Sequence, residues 1–259
     1  MAAGAGMIRG LGRFQSHFAT HTDQYVLIGG SAATLTMAEA GLPFRATKDL
    51  DIVLHVEALT PAFVEAFWAF VKAGGYAVGQ RSDGAPQFYR FQKPADVSYP
   101  AMLELFSRKP DGLMLAGEAH LTPIPLDEAV SSLSAILLNE DYYAFVMAGR
   151  RETDGLVWVG EDRLIPLKAS AWLDLSQRAA QGAVIDSKAI RKHLNDVLRL
   201  SQVLTPATRI DVPAAVGEDL RRFIAALRVG EPADLKSLGI AAASTNEICD
   251  RLAQAYGLA

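Results

Sequence analysis

The stretch Tyr25–Leu54, YVLIGGSAATLTMAEAGLPFRATKDLDIVL, decides the fold. Tyr25 to Ile28 is a short apolar run closed by glycines, the pattern of a strand buried on both faces. Gly29-Gly30-Ser31 then turns into a helix through about Ala40, and Asp49-Leu50-Asp51 opens a second strand that ends in Ile52-Val53-Leu54. Side chains alternate along a strand, so Asp49 and Asp51 share a face and Leu50 takes the other. Two carboxylates so placed suit Mg²⁺, which takes hard oxygen ligands and is usually held by one or two carboxylates together with substrate phosphates. Upstream, the glycines let backbone N–H groups approach a phosphate with no Cβ in the way, the next helix offers its positive end, and Ser31 adds a hydroxyl donor.

Each half of this pattern also has a bland reading, as a plain strand-to-helix turn or a solvated strand start. Together, and in this order, they point to phosphate and metal chemistry. A dinucleotide-binding βαβ unit is the competing reading, since Asp49 follows Gly29 by about twenty residues, the distance of a ribose-binding acid. Against it, Ser31 and Thr34 stand where the later glycines of G-x-G-x-x-G belong, and the acids precede their strand's apolar run where a ribose acid would follow it.

Outward from this stretch, Met7, Leu11, Phe14 and Phe18 place one apolar stripe on a first helix after a flexible start over residues 1–6. Thr60 caps a helix with Pro61 at its first position and Gly74-Gly75 at its end. Strands are expected over Tyr76 to Gln80, Gln87 to Gln92 across the turn Ser82-Asp83-Gly84, and Ala101 to Arg108. Asp127 caps a helix through about Leu138; Tyr142 to Met147 and Leu156 to Ile165 read as strands, the latter broken at Gly160-Glu161-Asp162. Helical patterns then dominate: Pro166 to Gln181, Ser187 to Leu204, Pro213 to Arg228 and Thr245 to Tyr256. The expected organisation is α/β (α+β): a mixed sheet with flanking helices over residues 1–165, then a helical domain over 166–259.

Composition sets the bounds. With 259 residues, 50% hydrophobic and 21% charged, the chain can bury a substantial core. A net charge of −4 excludes a broad basic surface for duplex DNA while leaving room for a local cleft that takes a nucleic-acid end. The single cysteine, Cys249, excludes an internal disulfide and a cysteine-rich metal cluster, and the five histidines are too scattered for zinc-ligand spacing. No apolar run is long enough to span a bilayer and no secretory segment opens the chain, so the expected location is the cytoplasm, with no membrane partner.

Gly29-Gly30-Ser31-Ala32 together with Arg45-Ala-Thr47-Lys-Asp49-Leu-Asp51 resembles the nucleotidyltransferase superfamily, and within it the AbiEii-like toxins of type IV toxin–antitoxin and phage-abortive systems, whose motif is R-x-T-x-D-L-D. Two later positions extend the resemblance over about residues 20 to 205. Lys168, in Ile165-Pro166-Leu167-Lys168, is similar to the family's lysine that contacts the triphosphate. Lys192-His193-Leu194-Asn195-Asp196-Val197 resembles its K-D-x-x-D motif with Asp196 as the final acid, departing at His193.

Read without the resemblance, Lys168 is a solvent-facing first-turn lysine and Lys192 with Asp196 an i, i+4 surface pair. The resemblance implies a third carboxylate on a neighbouring strand. Glu104 is the candidate, because a lone acid within Met102-Leu103-Glu104-Leu105-Phe106 is costly unless paired or metal-bound.

The resemblance thus implies a nucleotidyltransferase fold and transfer of NMP from an NTP to an acceptor hydroxyl. Asp49, Asp51 and Glu104 are its metal set for Mg²⁺, with Mn²⁺ as an alternative. Gly29, Gly30, Ser31, Arg45, Thr47 and Lys168 are its nucleotide contacts, and Lys168 and Asp196 join the carboxylates in catalysis. An RNA 3′ end such as tRNA is the implied acceptor, and a cognate antitoxin the implied protein partner. Protein or small-molecule acceptors, and a catalytically silent nucleotide-binding relative, are the alternatives. Arg45, Thr47, Arg90 and Arg178 are secondary candidates: Arg45 to brace the aspartate strand or touch phosphate, with an ordinary solvent-side strand residue as the bland alternative for Arg90.

Overall fold

The computed structural model describes residues 8–80, 86–106, 136–137, 139–240 and 243–258. The chain divides into two compact units, Met1–Val130 with Arg150–Val159, and Ser131–Gly149 with Gly160–Ala259. The expected flexible start, the turn at Ser82-Asp83-Gly84 and most of the helix expected from Asp127 lie outside the described residues.

The first unit is built on a seven-stranded mixed sheet. In chain order its strands are β1 (Tyr25–Ile28), β2 (Asp49–Leu54), β3 (Ala77–Gln80), β4 (Pro86–Gln92), β5 (Met102–Phe106), β6 (Arg150–Thr153) and β7 (Leu156–Val159). Their order across the sheet is β3-β4-β5-β2-β1-β7-β6. β1 lies near the middle, antiparallel to β2 and parallel to β7, and all four of its residues are buried, as its unbroken apolar run requires. β2 and β5 run parallel, so Asp51 stands beside Glu104, and β4 runs antiparallel to β5, so Arg90 stands beside Glu104 in turn.

Helices α1 (Leu11–Phe18), α2 (Gly29–Glu39) and α3 (Pro61–Gly74) complete this unit. The stripe on α1 buries Leu11, Phe14 and Phe18. Phe14 meets Tyr25 edge-on at 5.3 Å and Phe18 lies 5.5 Å from Phe70 of α3, contacts worth about 0.5–1.5 kcal/mol each beyond area burial. The Thr60 hydroxyl accepts from the N–H of Phe63, Pro61 follows at the first helical position, and Gly75 closes the helix, all as the sequence predicts.

The second unit contains α4 (Glu140–Ala148), α5 (Glu161–Ala180), α6 (Ser187–Leu200), α7 (Ala214–Val229) and α8 (Thr245–Ala255). α8 opens with a capping box between Ser244 and Glu247. Trp172 of α5 meets Phe223 of α7 edge-on at 5.3 Å.

Three expectations need correction. Tyr142 to Met147, read as a strand, is the body of α4. Asn139 caps it by accepting from the Tyr142 N–H, Glu140 and Asp141 complement the dipole of its first turn, and Tyr142, Tyr143, Phe145 and Val146 share the buried side. The spacing of that face outweighs the β-propensity of its residues.

The strand expected over Leu156 to Ile165 ends at Val159, and α5 begins at Glu161, five residues before Pro166. A proline inside a helix deprives the carbonyl four residues earlier of its donor, here that of Asp162. The Tyr256 hydroxyl donates to that carbonyl at 3.2 Å and to that of Glu161 at 3.3 Å. Burial holds the Tyr256 phenol well above its ordinary value, so it remains a donor. Finally, β6 has no counterpart among the strands the sequence predicts: Asp154 and Gly155, both at positive φ, form the two-residue turn that pairs it with β7.

Candidate functional site

β1 ends and α2 begins without an intervening loop. Gly29, the first helical residue, has φ +66°, and a Cβ placed on it would lie 1.8 Å from Oδ2 of Asp51. Glycine is therefore required twice over, for the left-handed backbone and for the approach of the carboxylate. The Gly30 N–H donates to the same oxygen across a long 3.4 Å. A Cβ on Gly30 would come within 3.0 Å of the Thr47 hydroxyl oxygen and 3.3 Å of the Arg45 guanidinium, so both residues lie over the turn. Arg45 also stacks on Phe44, 5.5 Å from the ring centroid.

Ser31 is fully buried and its hydroxyl donates to the Ile28 carbonyl at 3.2 Å. The donor expected for phosphate is thus engaged with the strand that precedes it. Thr34 likewise donates to the Gly30 carbonyl at 3.0 Å, which ties the start of α2 into a rigid cradle.

Asp49 and Asp51 are both half-buried on one face of β2 while Leu50 between them is fully buried. Glu104 extends this acidic face to β5, beside Asp51 in register, and is only 7% exposed. Its Oε1 accepts from Nη2 of Arg90 at 2.7 Å. Arg90, a secondary candidate whose bland reading is a solvent-side strand residue, is thus the ion-pair partner of Glu104. Burial holds the Glu104 carboxyl above the usual carboxylate range; Arg90 pulls it down and Asp51 and Asp49 push it up.

Gly29, Gly30, Arg45, Thr47, Asp49, Asp51 and Glu104 therefore all belong to the sheet unit, gathered where β1 ends and β2 and β5 begin. No protein-family model, curated protein or solved structure matches the chain.

Among the described residues, no three His, Cys, Asp or Glu side chains are grouped so as to hold a metal ion together. The Asp49/Asp51 pair nonetheless suits Mg²⁺. It offers hard oxygens from one strand face, half-open to solvent, beside a glycine cradle that a Cβ would fill.

Lys168 and Asp196 belong to the helical unit. Nζ of Lys168 on α5 and Oδ2 of Asp196 on α6 form an ion pair of 2.9 Å, with side chains 3% and 0% exposed. The bland readings of both fail: Lys168 is not a solvent-facing lysine, and Asp196 does not lie on a free helix face. Each neutralises the other, which is how two charges are accommodated in an interior. Arg178 forms an i, i+4 pair with Asp174 at 3.6 Å.

Sequence reading held Arg90 as a secondary candidate but missed its pairing with Glu104. A signal was present: lone opposite charges sit in Phe88-Tyr89-Arg90-Phe91 and Met102-Leu103-Glu104-Leu105, two expected strands close in sequence.

Proposed function

We propose that this chain is a Mg²⁺-dependent nucleotidyltransferase that moves a nucleoside monophosphate from an NTP to an acceptor hydroxyl and releases pyrophosphate. The observation that carries this reading is the convergence of the Gly29-Gly30 cradle, Arg45, Thr47 and the Asp49/Asp51 pair at one end of the central strands. The sheet unit is then a nucleotidyltransferase-fold domain and the helical unit its companion.

Asp49 and Asp51 would hold the ion, with Glu104 the third acid beside them. When bound, the ion supplies charge neutralisation for the reacting phosphates. The chain's own residues supply position: the start of α2 presents backbone N–H groups and a dipole end to phosphate, and Arg45 and Thr47 flank the same turn. The acid–cradle order supports nucleotidyl transfer over dinucleotide binding, because Asp51 faces the glycine turn itself.

The resemblance adds an RNA 3′ end such as tRNA as acceptor and a role as a toxin restrained by an antitoxin; Lys168 and Asp196, to which it gives triphosphate and catalytic roles, are paired with each other inside the helical unit. The test is an acceptor screen: protein, Mg²⁺ and each NTP labelled at the α-phosphate, with total RNA, protein and an aminoglycoside in turn. RNA labelling is expected, and labelling of no acceptor overturns the enzyme reading.

A further inference from the structure

We propose that Arg90 is a positioning residue that takes up the charge of Glu104, so that the acidic face binds a single divalent ion through Asp49 and Asp51. The proposal rests on the metal site of the nucleotidyl-transfer reading and sets its ion count.

Three observations carry it. The first is register: Asp51, Glu104 and Arg90 stand side by side on β2, β5 and β4, so the guanidinium ends the acidic row on its far side. The second is the bond itself, 2.7 Å long, to a carboxylate whose side chain is only 9% exposed while that of Arg90 is 32% exposed. A carboxylate so enclosed keeps its charge only with a partner, and the partner in place is Arg90. The third is exposure: Asp49 and Asp51 are half-open to solvent on one face of β2, whereas Glu104 is enclosed beside them.

A second ion on Glu104 would share a half-dry carboxylate with the guanidinium and be repelled by it. Arg90 thus stands where a second cation would otherwise be needed, and Glu104 serves as its anchor.

The experiment counts Mn²⁺ bound to the full chain by the loss of the free-ion electron paramagnetic resonance signal, with and without a non-hydrolysable NTP. The wild type is expected to bind a single ion. Glu104→Gln keeps that count, Arg90→Leu exposes Glu104 and admits a second ion, and Arg90→Lys restores the single ion. Should Arg90→Leu not fold by circular dichroism, Glu104→Gln decides alone. Two ions in the wild type, a single ion in a folded Arg90→Leu, or loss of the ion in Glu104→Gln, overturns the role of Arg90 and leaves the metal site standing. No ion bound by the wild type, or an ion kept in the double variant Asp49→Asn with Asp51→Asn, overturns the metal site and this proposal with it.

Discussion

The sheet unit and the helical unit each contain a close ion pair built on a buried acid, and the pairs differ in what surrounds them. Arg90 and Glu104 meet at 2.7 Å with the guanidinium about a third exposed; Lys168 and Asp196 meet at 2.9 Å with both side chains sealed. The distances are nearly equal. Burial sets the consequences apart, because a charge left without its partner in an interior has no water to turn to, whereas one at a half-open face does. The sealed pair therefore bears on folding first and the half-open pair on ligand chemistry first.

Lys168→Met puts this contrast to its hardest test. It takes the lysine partner from the fully buried Asp196 and should destabilise the helical unit by about 3–5 kcal/mol in denaturant titrations, with Asp196→Leu in the same chain recovering much of the loss. A change within about 0.5 kcal/mol, the range of an ordinary surface site, would erase the distinction.

In the sheet unit the large effect should fall on activity. If the proposed metal site holds, Asp49→Asn or Asp51→Asn removes a ligand charge worth several kcal/mol, so transfer should drop about 10³-fold or more while the circular dichroism spectrum stays unchanged. Retained activity would break the metal assignment.

Gly29→Ala sits between the two. Its positive φ costs about 1–3 kcal/mol for a side chain, and its Cβ would collide with the Asp51 carboxylate, so stability and ion binding should fall together. Gly30→Ala, whose Cβ would meet the side-chain ends of Thr47 at 3.0 Å and Arg45 at 3.3 Å with no positive φ to strain, should be milder in both.

The smallest effect sharpens the comparison from its exposed end. Glu247 accepts from the Ser244 backbone N–H at 2.6 Å and from its hydroxyl at 2.9 Å, and these bonds hold its carboxyl below the usual range. A lowered carboxylate contributes stability that is present above its unfolded value and lost as pH falls through the folded one. Glu247→Gln should therefore lower stability slightly at neutral pH and leave it nearly unchanged at low pH, which flattens the acid limb of the stability profile.

Legibility in the sequence followed how local each feature is. β1, β2, the Thr60 cap of α3 and the capped start of α6 are set by residues within a few positions of one another, and they fall where the sequence predicts. The Gly29-Gly30 turn and the Asp49/Asp51 face were legible for the same reason. The start of α5 was not, because Pro166 there is tolerated through Tyr256, some ninety residues away.

The β6–β7 hairpin had a local signal, Asp154-Gly155, that the apolar run after it overshadowed. Glu104 and Arg90 were visible singly as lone charges in apolar strands, but their pairing depends on the register of β4 against β5. Lys168 and Asp196 were singled out by the resemblance alone and otherwise read as surface residues; only the packing of α5 on α6 joins them.

The central claim, nucleotidyl transfer at the Asp49/Asp51 face, is tested most directly by running one reaction with NTP labelled at the α-phosphate and a parallel one labelled at the γ-phosphate, each with Mg²⁺ and RNA. Transfer of the α-label to RNA, with the γ-label leaving as pyrophosphate, is the predicted result. Transfer of the γ-label, or of neither, would contradict it.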